Sequence, residues 1–401
     1  MSSSGLSRVR LDRMHDIMAG YVERGDVPGL VTLVCRRGEV HVEAIGMLAF
    51  DGSEPMRRET IFRIASVTKP VVAAAAMILV EECTLRLDEP VDELLPELAN
   101  RQVLRTLDSP LEDTVPANRP ITLRDLMTFR LGYGAVFAPP GTYPIQQALE
   151  EAGVASGPIL PSHVPDEFMA RFGSLPLLHQ PGERWLYDSG SEILGVLVAR
   201  ATGKSLGDFL QERIFAPLGM KDTAFSVPAS KRDRLPTAYW TNFKIGEFEV
   251  FDGVEESRWA RPPVFESGAG GLVSTVDDLL AFGQMMLNMG QYGDERILSR
   301  PSVAVMTTDQ ITPEQKVASD FFPGFWDNHG WGFGVSIVTR CDDLAATPGR
   351  YGWDGGYGTS WYVDPKEELI GILLTQRVWD ATGIPKVLLD FWTSAYQAID
   401  D

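Results

Sequence analysis

Residues 66–80 impose the strongest constraint on how this chain can fold. They read as a helix whose beginning is fixed near Pro70, because proline is tolerated only about the first turn. Every position from 71 to 80 is apolar, including the run Ala73, Ala74, Ala75 and Ala76. A helix with no polar face cannot lie on a surface, so it must run through the centre of a body that covers it on all sides. At 401 residues, 44% of them hydrophobic, the chain has the material for one large core or two cooperating ones. The apolar run is about half the roughly 18 residues of a membrane span, and no other stretch comes closer.

The segments on either side say what the cover is made of. Residues 9–25 carry Val9, Met14, Ile17, Met18 and Tyr21 at helical spacing, closed by Gly25. Two apolar runs, 30–35 and 40–45, flank Arg36, Arg37 and Gly38 and read as a β-hairpin. Strand signals return at 332–338, 360–363 and 369–374, after a helix over 276–289 and before a closing helix over 387–399. Between these ends lie short helical segments at 121–128, 164–172, 190–201 and 206–214, separated by Pro- and Gly-rich loops. Strands at both termini with helices between predict an α/β (α+β) fold with one sheet built from both chain ends and flanked by helices. The expected division is an α/β domain of residues 1–85 and 255–401 and a mainly helical domain of residues 86–254, with the active site at their interface.

Charge and composition exclude several function classes. A net charge of −19 repels phosphate, which argues against nucleic acid and anionic membrane as partners. Cys35, Cys83 and Cys341 lie far apart with no CxxC, and the five histidines include no HExxH and no i, i+4 pair. Neither a disulfide framework nor a metal site is expected, and no cofactor. The start, MSSSGLSRVRLDRM, has no apolar segment of the signal-peptide kind, so the expected location is the cytoplasm. Oligomeric state is open, a homo-oligomer included.

Three short patterns carry chemistry. Ser66-Val67-Thr68-Lys69 puts a hydroxyl and an amine three residues apart at a helix start, on one face and within mutual reach. A serine hydroxyl is a weak nucleophile until a base takes its proton, and a lysine can do so if burial lowers its pKa. The helix N-terminus adds N–H groups that favour a developing anion. Only Lys69 among the lysines has a serine three places before it; an exposed, inert pair is the competing explanation, and the apolar helix that follows counts against it. Tyr187-Asp188-Ser189 precedes another helix and offers a phenol for acid or base work. Tyr351-Gly352-Trp353-Asp354-Gly355-Gly356 leads into a strand, and glycines there let another group approach the backbone closely. A rival signal, Gly203-Lys204-Ser205-Leu206-Gly207, matches the G-x-S-x-G elbow but follows a helix rather than a strand. Gly203 is better read as a C-cap and Ser205 as an N-cap.

Ser66-x-x-Lys69, Tyr187-x-Ser189 and Trp353-x-Gly355, in this order and spacing, resemble the class C β-lactamase fold family, and within it the family VIII carboxylesterases. The likeness spans nearly the whole chain. It implies Ser66 as nucleophile, Lys69 as its activator, Tyr187 as general base and later proton donor, and an oxyanion hole from the N–H groups of Ser66 and Gly356, with Trp353, Gly355 and Ser189 bordering the substrate. Many relatives carry Asn where Ser189 stands and Lys or His where Trp353 stands. The tryptophan removes a cation that would hold a substrate carboxylate. The expected activity is therefore hydrolysis of neutral short-chain acyl esters, a small-molecule substrate, with weak β-lactam hydrolysis beside it. The alternatives are a β-lactamase, a D-amino-acid peptidase, an acyltransferase or a non-catalytic binding relative. Whether Lys69 or Tyr187 takes the first proton is left open by the residues alone.

Overall fold

The computed structural model describes residues 5–319, 321–379 and 383–401, so residues 1–4 of the polar start lie outside it. Its centre is a seven-stranded antiparallel sheet. In chain order the strands are β1 (Gly29–Arg36), β2 (Glu39–Gly46), β3 (His329–Trp331), β4 (Ser336–Val338), β5 (Tyr351–Gly355), β6 (Thr359–Asp364) and β7 (Leu369–Leu374). Across the sheet they run β3-β4-β5-β6-β7-β1-β2. The N-terminal hairpin thus pairs with the last strand, Val31 opposite Leu374 and Arg36 opposite Leu369, which joins the two chain ends in one sheet.

Five helices matter for the site: α1 (Arg8–Glu23), α2 (Thr68–Glu81), α3 (Ser189–Thr202), α4 (Val276–Leu287) and α5 (Lys386–Gln397). Strand β1 is buried at every position because both faces of the sheet are covered. Its Leu30 and Val34 pack with α1 and α5 on one side. Val31, Leu33 and Cys35 pack with α2 and α4 on the other. Every residue of α2 from Thr68 to Leu79 is buried, as a helix without a polar face requires. Burying each larger aliphatic side chain there, Val71, Val72, Ile78 and Leu79 among them, contributes about 1.5–3 kcal/mol. Helix α3 packs on α2, and beyond it the short helices Leu123–Met127, Pro144–Ala152, Pro165–Ser174 and Leu206–Leu210 complete the cover. Among the described residues no helix is long and apolar enough to cross a membrane.

Two departures from the sequence reading have local causes. The single strand expected over 332–338 is a hairpin, β3 and β4, with a turn in which the Gly332 N–H donates to the Val335 carbonyl. Gly334 supplies the turn at φ +72°, and a Cβ there would come 2.9 Å from the Lys69 carbonyl oxygen, so this glycine serves both a left-handed turn and a close approach to α2. The expected helix over 206–214 is α-helical only to Leu210 and continues as a π-helical segment, Gln211–Phe215. A further hairpin outside the central sheet, Ala238–Asn242 with Glu247–Asp252, has no counterpart in the sequence reading.

Candidate active site

Two strained backbone positions present the chemical groups. A short strand, Phe62–Arg63, runs into the 3-10 turn Ala65–Val67 that leads to α2. The strand is anchored by the buried Arg63, whose Nε donates to Asp252 at 2.8 Å and whose Nη1 donates to Gln376 at 2.8 Å. Immediately before Ser66, Ala65 adopts φ +45°, and immediately after Tyr187, Asp188 adopts φ +88°. Non-glycine residues in this region cost of order 1–3 kcal/mol and persist where the surroundings over-determine them, commonly at functional sites.

Lys69 Nζ is fully buried and has three acceptors: Ser66 Oγ at 2.9 Å, Asp188 Oδ1 at 2.8 Å and the Ala269 carbonyl at 2.8 Å. That accounts for all three protons of an ammonium. Burial presses the group toward neutrality, but the Asp188 carboxylate and Tyr187 outweigh it, and the Lys69 pKa stands above its ordinary value. The condition under which Lys69 could serve as a base, a pKa lowered by burial, is therefore not met: the carboxylate beside the amine holds it charged.

Tyr187 lies under that ammonium, with Nζ 4.7 Å from the ring centroid. Its Oη accepts the indole N–H of Trp353 at 2.7 Å. Trp353 lines the cavity with its ring, while its N–H is committed to Tyr187. Trp185 and Trp331 are buried behind the phenol, with centroids 5.7 and 6.4 Å from it. Tyr133 is buried too, its hydroxyl donating to the Val154 carbonyl. Ser189, at the third position of the tyrosine motif, bonds Ser156 Oγ at 2.6 Å rather than Lys69. The residue between them, Asp188, makes the lysine contact.

The glycines of the third motif act by absence. A Cβ at Gly355 would run into the Ile64 carbonyl and Thr359 Oγ1, so β5 can close on the turn that carries Ser66 only as glycine. Gly356 has open space around its Cα and accepts the Trp379 N–H at 2.8 Å.

Ser66, Tyr187, Trp353 and Gly356 line one cavity of about 480 Å³, together with Asp188, Glu192 and an apolar wall that includes Phe137, Phe321, Phe322 and Phe325. Its size is in the range that holds drug-sized ligands. Among the described residues lining it there is no lysine or arginine. His329, also in the wall, is held neutral: burial and the nearby Arg350 push its pKa down to about 4. Sequence reasoning missed Phe321, Phe322 and Phe325, which lie in a loop and at the start of a four-residue helix, too short to show a periodicity. It also missed Asp188 and Glu192, acids at a helix start that read as favourable partners of the helix dipole. The rival Ser205 sits outside the cavity as an N-cap, its Oγ accepting the Asp208 N–H at 3.1 Å, and Gly203 is the left-handed C-cap of α3. Among the described residues no group of three or more His, Cys, Asp or Glu is placed to hold a metal ion.

Residues 14–382 match the family model described as Beta-lactamase. Protein Rv1367c of Mycobacterium tuberculosis (strain H37Rv) is 38% identical over 367 residues, covering 89% of this chain and 88% of its own length. Esterase EstB of Burkholderia gladioli is 30% identical over 379 residues, with the same coverage of 89% and 88%. A solved structure, EstCE1, described as a hydrolase with promiscuous acyltransferase activity, is similar with a TM-score of 0.79 at 24% identity, over 96% of this chain and 98% of that one.

Proposed function

Since this chain belongs to the β-lactamase family and is a serine hydrolase, we propose that it cleaves neutral carboxylic esters through an acyl-enzyme on Ser66. The observation that carries the neutral-substrate reading is the cavity wall. It has no lysine or arginine among its described residues and a histidine kept uncharged, so none of those residues offers a positive charge to a substrate carboxylate, while aromatic side chains offer apolar area. EstB, a relative named as an esterase, supports the same reading.

In the proposed mechanism Tyr187 acts as its phenolate, beside the Lys69 ammonium and the Trp353 N–H: Ser66 Oγ attacks the ester carbonyl, and its proton passes to the phenolate Oη, giving the neutral phenol. The bond to the leaving oxygen then breaks, and Tyr187 returns the proton to it as the alcohol departs. Water repeats the sequence in reverse to release the acid. Lys69, kept as an ammonium by Asp188, is unsuited to take the first proton. It orients Ser66 Oγ and lends positive charge to the oxygen as it becomes anionic. Trp353 fixes the phenol through its N–H and faces the oxygen on which charge collects. The N–H groups of Ser66 and Gly356 are the proposed oxyanion donors. The same acylation opens a β-lactam, but without a cation for its carboxylate this reaction should be slow.

The test is hydrolysis of p-nitrophenyl butyrate by the wild type and by Ser66→Ala. The variant should fall on the order of a millionfold, to near the uncatalysed rate. Retention of most activity would remove Ser66 from the reaction.

A further inference from the structure

Glu192 is a buried carboxyl for which the mechanism above has no use. It lies in the first turn of α3, just after the N-cap residue Asp188, and both Asp188 and Lys69 act on it electrostatically. Glu192 Oε1 accepts the Ser267 hydroxyl at 2.6 Å, and Oε2 accepts the Ala269 N–H at 3.3 Å. The Ser267 Oγ in turn accepts the Gly270 N–H at 3.0 Å. These bonds tie the 267–271 loop to α3, and Gly268 seats against the Ser191 carbonyl where no side chain fits. The same loop supplies the Ala269 carbonyl that takes one of the three Lys69 protons.

Resting on the Ser66 reading, we propose that Glu192 is a positioning residue of the site: it pins the 267–271 loop so that the Ala269 carbonyl holds Lys69 beside Ser66. The charged groups facing it are Asp188, the residue that precedes its own helix, and Lys69 from α2. From the loop come a hydroxyl and an N–H, and the neighbouring Glu266 is turned away to the Gly207 N–H. Two carboxyls therefore share a single ammonium. Burial and the Asp188 charge push the Glu192 pKa up to about 7, against the pull of Ser267 and Lys69. Below neutrality Glu192 is protonated, and Lys69 and Asp188 balance. Above it a second negative charge faces Lys69 and cancels part of the field that stabilises the anion formed at Ser66. The residue acts in its neutral form.

Glutamine imitates that neutral form, and alanine removes the anchor. With p-nitrophenyl butyrate at pH 6, Glu192→Gln should keep kcat/KM within about threefold of wild type, whereas Glu192→Ala should lose about ten- to hundredfold in kcat with KM nearly unchanged. From pH 6 to 8.5 the ratio of kcat/KM for Glu192→Gln to that of wild type should rise about tenfold, the effect of one pKa unit of lost interaction. Taking the ratio removes the titration of groups common to both proteins. Wild-type kcat in Glu192→Ala, or a flat ratio, overturns the proposal. If the alanine variant does not fold, the ratio alone decides. A wild type that forms no adduct on Ser66 would defeat the Ser66 reading separately. In that case the Tm of wild type should still fall relative to Glu192→Gln between pH 5 and 7, and parallel curves would overturn the assignment of Glu192.

Discussion

Replacing Asp188 with asparagine keeps the size of the side chain but removes the carboxylate 2.8 Å from Lys69 Nζ. At that separation, with an effective dielectric of about 20, the gross attraction is about 6 kcal/mol. Desolvation of both ions offsets much of it, and removing one partner of a buried pair costs about 3–5 kcal/mol. The asparagine carbonyl can still accept one N–H, so a loss near 3 kcal/mol of stability at pH 7 is expected. Protonation should change with it. In the wild type Asp188 holds the Lys69 pKa above its ordinary 10.5, so the pair's contribution is fully present below that pH and is lost as pH rises through the folded value. Without the carboxylate, burial becomes the leading influence and drives the pKa below the unfolded value. The variant should then regain stability as pH rises from 7 toward 10, where wild type gains nothing from this group. Loss of the charge-assisted contact, worth about 1.5–3 kcal/mol, should lower kcat/KM about ten- to hundredfold. Urea unfolding at pH 7 and 9.5, with ester hydrolysis at pH 7, measures both. An Asp188→Asn protein as stable as wild type at pH 7, with kcat/KM within twofold, would refute the reasoning.

Trp353→Phe keeps the aromatic surface but removes the N–H that reaches Tyr187 at 2.7 Å; kcat for p-nitrophenyl butyrate should fall about ten- to hundredfold, the worth of a hydrogen bond to a charged oxygen, and an unchanged kcat would show that the contact plays no part in proton transfer. Ser205→Ala should retain wild-type activity while losing about 1 kcal/mol of stability, because it removes an N-cap; abolished hydrolysis in a folded variant would revive the elbow reading. Comparison of kcat/KM for p-nitrophenyl butyrate and nitrocefin should favour the ester by at least about tenfold, given the absence of Lys and Arg from the described cavity wall. A preference for nitrocefin would replace the ester assignment with a lactam one.

Much of this architecture is legible where local pattern and final environment agree. The all-apolar run of α2 can only be central, and β7 reads as a strand because its six residues are buried on both faces. The 332–338 segment misleads because its apolar residues imitate a strand while Gly332 and Gly334 are there to turn the chain against α2. At the site, Ser66 and Lys69 share a helix start, so their contact is already implied by spacing, and Tyr187 is marked by its motif. The partners that determine the lysine's charge are not marked in this way. Asp188 reaches Lys69 from a distant segment through a strained φ, Ala269 does so through a backbone carbonyl that any residue could offer, and Glu192 acts through a loop 75 or more positions away. Such contacts arise from tertiary packing and leave no periodicity or spacing to read. Trp353 is an intermediate case: its presence is plain in the motif, but the direction of its N–H, toward Tyr187 rather than the substrate, is a matter of packing against Trp331 and Phe321.

The central claim is that the acyl group rests on Ser66, and the most direct measurement is covalent trapping. The protein is incubated with a fluorophosphonate, its intact mass recorded, and the adduct located by peptide mapping. The account predicts a single adduct on the peptide that contains Ser66, with hydrolysis of p-nitrophenyl butyrate lost in proportion to labelling. An adduct on Ser205 or another residue that accompanies the loss of activity, or full hydrolysis by a protein already labelled at Ser66, would contradict it.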